Sequence, residues 1–128
     1  MNDERLDRLR QVCESESSRG ERARSAAQTI AAADYRWVAI YEVDDDAIAA
    51  LGEFGTGSQG SNAAVTAGSL ATGAFVTNEG VGIVPILGAE SAVVIGALAV
   101  ERASPAAYDE EERGALERYA AVVIALFE

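Results

Sequence analysis

The sequence predicts an α+β sandwich: one five-stranded, mostly antiparallel sheet with the terminal helices on one face and a short helix with its loops on the other. Three observations predict this class. Apolar residues recur at helical spacing over residues 3–33, β-branched and aromatic residues dominate the segments between Arg36 and Glu101, and an acid-capped amphipathic helix closes the chain. Every strand connection except the one through the middle helix is short enough for antiparallel pairing.

Length and charge set the first limits on function. The chain has 128 residues, which fits one domain, with residues 1–20 as an N-terminal helix and candidate dimerisation element and residues 21–128 as the folded domain. A net charge of −11 repels phosphate groups, so nucleic acid and anionic membranes are not expected partners. No apolar run is long enough to span a membrane and no secretory signal is present, so we expect a cytoplasmic protein.

Two helices are predicted at the start of the chain. The first runs from Asp3 to about Glu16, and its apolar face either packs on the domain's own sheet or forms the seam of a dimer. That face consists of Leu6, Leu9 and Cys13. After a break, Ser18 caps the second helix, which runs from about Glu21 to Ala33 and has a face of small residues that can approach a sheet closely. That face consists of Ala23, Ala26, Ala27, Ile30 and Ala31.

A hairpin is predicted next. Arg36 to Val43 is typical of a strand, and apolar residues on both of its faces indicate a central strand covered on two sides. Asp44 to Asp46 supply the turn into a partner strand from Ala47 to Phe54. Three adjacent carboxylates in a turn point in different directions, so we expect no metal site there. The glycines of residues 55–60 have dinucleotide-binding spacing, but no parallel βαβ unit surrounds them, which favours a loop.

The second half of the chain supplies a short helix, three strands and the terminal helix. Asn62 to Thr72 can form the short helix. The strands run from Ala74 to Thr77, from Val81 to Leu87 and from Ala92 to Glu101. After Ser104 and Pro105, Asp109 as N-cap with Glu112 at the capping-box position predicts the start of the last helix. Its apolar face consists of Leu116, Tyr119, Ala120, Val123, Ile124 and Phe127.

Several of these segments resemble the GAF domain family, over about residues 21–127. The matching segments are Arg36–Tyr41, Gly68–Gly73, Val84–Ile86, Ile95–Glu101 and Pro105–Glu111. The positions in this pattern mostly encode the fold. The resemblance implies a GAF-like sandwich, of the PAS-like or profilin-like type, that serves as a small sensory or ligand-binding domain and is often dimeric through its terminal helices.

Within that family, Trp37 and Tyr41 on the first strand look most like the free methionine-R-sulfoxide reductases, whose pocket holds the substrate between such aromatics and carboxylates. The chain then departs from that branch. The reductases use cysteine thiolates in two loops, whereas this chain has no Cys after Cys13. Of two carboxylates expected on the last strand, one position is Ala99 and the other is Glu101. Without those thiolates, reduction by the same route has no nucleophile.

The residues that other GAF-like proteins use to bind cofactors are also missing from this chain. A covalent bilin needs a reactive Cys near the pocket, and haem or non-haem iron normally needs His, of which the chain has none. The pattern of cyclic-nucleotide-binding members includes a Lys, and all ten basic residues here are Arg. We therefore expect no cofactor, no metal and no catalytic residue.

Trp37, Tyr41 and Glu101 are the candidate ligand-binding residues. Trp37 and Tyr41 share a strand face by the two-residue period and can form an aromatic wall for a small cationic or apolar ligand. Glu101 can orient the ligand from a neighbouring strand. The alternatives are a core-packing aromatic pair and a strand-end carboxylate that is solvated or paired with Arg36 or Arg102.

The sequence thus predicts a non-enzymatic, homodimeric GAF-like domain in signal transduction. Its expected partners are a small-molecule ligand or a protein, and a second copy bound through the terminal helices. Two alternatives remain open. One is a divergent reductase-like enzyme that uses Cys13 from a partner chain, and the other is a Roadblock-like or profilin-like adaptor, which shares the same order of strands and helices.

Overall fold

The structure is a computed structural model that describes residues 3–31, 35–44, 47–55, 76–78, 81–87, 94–102 and 109–127. The described elements, in chain order, are helices α1 (Asp3–Cys13) and α2 (Arg19–Ala31), strands β1 (Tyr35–Asp44), β2 (Ala47–Gly55), β3 (Val76–Asn78), β4 (Val81–Leu87) and β5 (Val94–Arg102), helix α3 (Glu110–Val123), and a final 3₁₀ helix (Ile124–Phe127). The α+β architecture predicted from the sequence is confirmed.

The described strands pair antiparallel in the order β2-β1-β5-β4-β3. Four of them are seven to ten residues long, and β3, at the edge, has only three. Strand β1 is central, as predicted, and its side chains are buried on both faces of the sheet. Val38 and Ile40 belong to a core with the helices, whereas Trp37 and Ala39 belong to a separate cluster on the opposite face.

The described helices lie on one side of the sheet. Helix α2 packs on β1 and β2, α3 packs mainly on β4, and α1 lies across α2 and α3. The small-residue face of α2 is buried as predicted. Its close approach is visible at Gly52 of β2, where an added Cβ would lie 2.6 Å from the backbone carbon of Ala23. Small side chains on the helix and a glycine on the strand therefore set the helix–sheet distance.

Helix α1 is shorter than predicted and packs within its own domain. It ends at Cys13 rather than near Glu16, and Arg22 Nη1 donates a hydrogen bond to the Cys13 carbonyl oxygen at 2.8 Å. Ser18 caps α2, because its Oγ accepts from the Glu21 backbone N–H at 3.3 Å. Leu6, Leu9 and Cys13 are buried in the core of the same chain. Helix α1 packs mainly on α2 and α3, however, and not on the sheet as one of the two alternatives expected.

Helix α3 begins where the sequence predicts. The Asp109 side chain accepts a hydrogen bond from the Glu112 backbone N–H at 2.8 Å. The end differs from a continuous α-helix, because the chain tightens into a 3₁₀ helix after Val123. A repeat of three residues per turn places Leu126 in the core, while Ile124 and Phe127 are only half-buried.

Some predicted features lie outside the described residues: the short helix over residues 62–72, the Ser104–Pro105 segment, and the glycines of the 55–60 loop beyond Gly55. Gly55 itself closes β2 with φ +85°, which only glycine adopts readily. The predicted first two residues of β3 and of β5, residues 74–75 and 92–93, also lie outside the described residues, and β5 extends to Arg102. None of the helices in the described ranges is long and apolar enough to cross a membrane.

Candidate functional site

The face of the sheet that lies opposite the helices carries the predicted site residues. Trp37 pairs across the strands with Glu101, and Tyr41 pairs with Ala97. Between these rows, Ala39 pairs with Ala99, which in turn pairs with Ile83 of β4. Because alternate side chains of a strand share a face, these residues form one surface. We call it the aromatic face, and it comprises Trp37, Ala39, Tyr41, Glu53, Ile83, Ala97, Ala99 and Glu101.

The three predicted residues are therefore brought together, with different burial. Trp37 and Glu101 are 3% and 2% exposed as whole residues, whereas Tyr41 is half-buried. Trp37 belongs to a small apolar cluster, so it does pack as a core residue would. Trp37 can pack in this cluster and still contact a ligand, because the cluster borders on the partly buried Tyr41 and on the carboxylates of the same face.

Glu101 pairs with Arg36, which was one of its two expected partners. Both the Nε and the Nη2 atoms of Arg36 contact Oε2 of Glu101. The carboxylate is buried, while the arginine is half-exposed at 49%. The pairing of β1 with β5 shifts register at Arg36, between Tyr35 and Trp37. Of the alternatives for Glu101, pairing with Arg36 is the one observed, and the carboxylate is buried rather than solvated.

Arg102, the other expected partner, belongs to the helix side. Its Nε donates to Glu112 Oε2 at 3.1 Å, and the Tyr35 hydroxyl donates to the same oxygen at 2.7 Å. Successive residues of β5 point to opposite faces, so Glu101 and Arg102 separate onto the two sides of the sheet. Each of them is joined to a different partner.

The floor of the aromatic face consists of small side chains. Ala39, Ala97 and Ala99 are fully buried. The same two strands carry large residues on their other face, where Val38, Ile40, Leu98 and Val100 fill the helix-side core. The strands themselves therefore do not require small residues. On the aromatic face, the alanine side chains extend less far from the sheet than those of Trp37 and Tyr41.

Glu53 is a residue of this face that sequence reasoning missed. The Trp37 Nε1–H group donates to Glu53 Oε2 at a long 3.5 Å. Burial raises the pKa of Tyr41 above its ordinary value, and the nearby charge of Glu53 raises it further. The Glu53 carboxylate thus lies beside both aromatic side chains.

The reason Glu53 was missed is a bulge in β2. From the turn, the hairpin pairs Asp44 with Ala47 and continues in register to Tyr41 opposite Ala50. Continued unchanged, that count would place Glu53 opposite Val38, on the helix side. The register instead shifts between Ile40 and Tyr41, and Glu53 comes to lie opposite Ala39. One inserted residue therefore moves a carboxylate from one face of the sheet to the other.

Cys13 does not belong to the aromatic face; it lies on the other side of the sheet from Trp37. It lies in the core on the helix side of the sheet and is 1% exposed. Burial raises the pKa of its thiol to about 11; Arg22 opposes this effect and Glu14 adds to it. A buried, protonated thiol is a poor nucleophile.

A separate concave surface runs along the terminal helices. We call it the helix groove; it has a volume of about 440 Å³. It is lined by Leu6, Arg10, Cys13, Glu14, Arg118, Ala121, Val122, Ile124 and Ala125. A second groove of about 680 Å³ lies between α1, α2 and Phe54 and is more polar.

Solved structures with the same fold are GAF domains and reductases. A GAF sensor protein from Burkholderia vietnamiensis matches with a TM-score of 0.79 and 17% identity, covering 95% of this chain and 84% of that one. The GAF domain of a phosphoenolpyruvate-protein phosphotransferase from Acinetobacter matches with a TM-score of 0.75 and 16% identity, covering 99% and 95%.

The free methionine-R-sulfoxide reductase from Neisseria meningitidis, solved with its substrate, has a TM-score of 0.70 and 19% identity, covering 98% of this chain and 89% of the enzyme. No protein-family model matches the chain, and no curated protein sequence does either. At these identities the likeness shows the fold alone, which is GAF-like.

Proposed function

We propose that this GAF-like chain is a non-enzymatic sensory domain of a cytoplasmic signalling protein and that it binds a small molecule on the aromatic face. One observation carries the proposal. A buried carboxylate, Glu101, lies directly across the strands from a buried indole, Trp37, at the end of an alanine floor. Removing a carboxylate from water is costly even when an arginine at the surface neutralises it, which favours a functional reason for Glu101 over packing alone.

The similar solved structures support a binding role. They include both a sensor and a reductase, so the choice between sensing and catalysis depends on the residues of this chain. One similar structure is a GAF sensor protein, and another is a reductase in complex with its substrate. The likeness to these proteins favours a GAF-like domain over a Roadblock-like or profilin-like adaptor. Sensing fits this chain better than reduction because its only cysteine, Cys13, is buried and has a raised pKa.

The reductase alternative depends on Cys13, and its environment argues against it. The thiol is buried behind the sheet from Trp37, with a pKa of about 11. A Cys13 supplied by a partner chain would have to leave the same core. We expect no thiol-dependent reduction of free methionine sulfoxide. A reductase rate that is present in the wild type and lost in Cys13→Ser would contradict this part of the proposal.

The ligand site can be tested by filling its floor. Ala39→Leu adds three carbon atoms between Trp37 and Tyr41, and Ala49→Leu adds the same atoms at an exposed position of β2. Calorimetric screening with small metabolites should find a ligand for the wild type and for Ala49→Leu, whereas Ala39→Leu should fail to bind it.

The stability of the same variants must be measured beside their binding. Ala39 has no exposed surface, so Ala39→Leu should also lower the free energy of unfolding, by about 1–3 kcal/mol. Binding is therefore compared at a temperature where unfolding measurements show Ala39→Leu and Ala49→Leu to be folded. Full binding by folded Ala39→Leu, or the absence of any ligand at millimolar concentration, would overturn the proposed function.

We also propose that two copies associate through the helix groove. Its apolar lining includes Ala121 and Val122 of α3, and its charged residues are of both signs, with Arg10 and Arg118 beside Glu14. A two-fold arrangement would set Glu14 of one copy against the arginines of the other. In sedimentation experiments, Ala121→Glu should yield monomers, while Ala49→Glu should remain dimeric. A monomeric wild type would reject this association.

A further inference from the structure

Glu53 carries a negative charge at the edge of the aromatic face, outside the ion pairs seen in the described part of the chain. All ten basic side chains of the chain are arginines, and all ten lie within the described ranges. The ion pairs there include those of Asp7, Glu42, Glu101, Glu112 and Glu117. Glu53 is exposed and is not a member of any of these pairs.

The surroundings of the Glu53 carboxylate are aromatic. Its Oε2 atom accepts the long hydrogen bond from the Trp37 indole, and its charge is close enough to Tyr41 to raise the pKa of that phenol. An indole and a phenol beside a carboxylate are the groups with which proteins bind cations, since the ring faces and the carboxylate all attract positive charge.

We propose that the ligand of the aromatic face carries an ammonium or guanidinium group, and that Glu53 binds this group beside the Trp37 indole. This inference rests on the proposed function and narrows its ligand class. The Arg36–Glu101 ion pair on the same face also favours a cationic ligand over an anionic one. Arg36 is already paired with Glu101, so an anionic ligand would meet the Glu53 carboxylate without a free counter-charge. The net charge of −11 also draws cations toward the protein.

Pairs of small molecules with the same shape and different charge test this inference. Butylammonium with butanol, and choline with dimethylbutanol, are such pairs. Trp37 is the only tryptophan, so its fluorescence reports binding at this face directly. The wild type should bind at least one charged member roughly ten-fold more tightly than its neutral partner.

Glu53→Gln should bring the charged and neutral members of each pair to within about two-fold of one another. The control is Glu117→Gln on α3, which removes the same charge from an exposed site away from this face and should keep the preference. Circular dichroism and thermal unfolding should show both variants folded, because both glutamates are exposed.

Each failure has a distinct meaning. Equal binding of charged and neutral members by the wild type would overturn the cationic ligand while the proposed binding function stands. A charge preference that survives Glu53→Gln would overturn the role of Glu53. If no probe binds, and the metabolite screen also finds nothing, both the inference and the proposed function fall. A neutral or anionic metabolite found in that screen would overturn the inference alone.

Discussion

Glu101 is the only charged residue that is buried among the residues the structure describes. Its carboxylate is stable there because Arg36 reaches it from the surface with two guanidinium nitrogens. Removing one partner of such a pair leaves a charge in a place where water cannot solvate it, which costs more than the intact pair contributes.

Arg36→Gln should therefore lower the free energy of unfolding by about 1–3 kcal/mol, less than for a fully buried pair because Arg36 is half-exposed. The matched control is Arg113→Gln, whose partner Glu117 is exposed, and which should cost no more than about 0.5 kcal/mol. Urea denaturation gives both values. The double variant Arg36→Gln with Glu101→Gln should recover part of the loss, and equal effects of Arg36→Gln and Arg113→Gln would contradict this account.

Cys13 should make stability depend on pH in the alkaline range. Burial raises its pKa from 9.0 to about 11 in the folded chain. The folded state therefore holds the proton more tightly than the unfolded state does, so this contribution is complete below about pH 9 and is lost as the pH rises through about 11.

Wild-type protein should lose roughly 2 kcal/mol more than Cys13→Ala over that interval. Denaturant unfolding of both proteins at several pH values measures the difference. The pKa of Tyr41 is also raised by burial, but Tyr41 is present in both proteins, so its contribution cancels in the comparison. Parallel pH profiles would show that the thiol is not perturbed.

Among the elements, β5 connects the two faces of the sheet. Glu101 faces Trp37 on the aromatic face, and Arg102 is joined to Glu112 in the first turn of α3. Nearer its start, Gly96 allows a close contact, because an added Cβ would lie 2.6 Å from Cζ of Phe127 and would also meet the Tyr41 backbone. The last residues of the chain are thus seated on the strand that carries the site.

Two glycines should respond in opposite directions to replacement by alanine. Gly96→Ala should destabilise the domain by about 1–3 kcal/mol, because the methyl group must displace Phe127 and β1. Gly114→Ala, within α3 and with no atom within 4 Å of the new Cβ, should stabilise it by about 0.5–1 kcal/mol. Thermal unfolding measures both signs, and a loss of stability in Gly114→Ala would be inconsistent with the open space around it.

At the scale of the whole molecule, Arg19 joins the beginning of the domain to its end. From the first turn of α2, its Nε donates to the Leu126 carbonyl oxygen at 2.6 Å, its guanidinium lies 5.6 Å from the centre of the Phe127 ring, and its Nη2 contacts Glu42 of β1. One side chain thus holds α2, strand β1 and the 3₁₀ helix together.

Arg19→Met should loosen the C-terminal segment while keeping much of the apolar side chain. Amide hydrogen exchange over Ile124–Phe127 should become faster, with a smaller change in the middle of α3. Arg19→Lys should rescue only part of the protection, since an ammonium lacks the planar guanidinium that reaches both the carbonyl and the carboxylate while lying over the Phe127 ring. Full rescue by lysine would mean that charge alone matters.

The sequence by itself determined the order of the helices and strands that the structure describes, the cap at Asp109, the buried face of α2 and the shared face of Trp37 and Tyr41. These features depend on local periodicity, and local periodicity is written in neighbouring residues. It also left the strands and their loops without a thiol nucleophile, because the only cysteine, Cys13, belongs to the N-terminal helix.

Only the tertiary structure decided which arginine pairs with Glu101, that the apolar face of α1 packs in its own domain, and that Glu53 belongs to the aromatic face. Each of these depends on distances between residues far apart in the chain. For Glu53, one extra residue in β2 reverses the face that a simple hairpin count assigns. Spacing within a strand cannot reveal such a shift, because the register is set jointly by both strands and by the side chains packed against them.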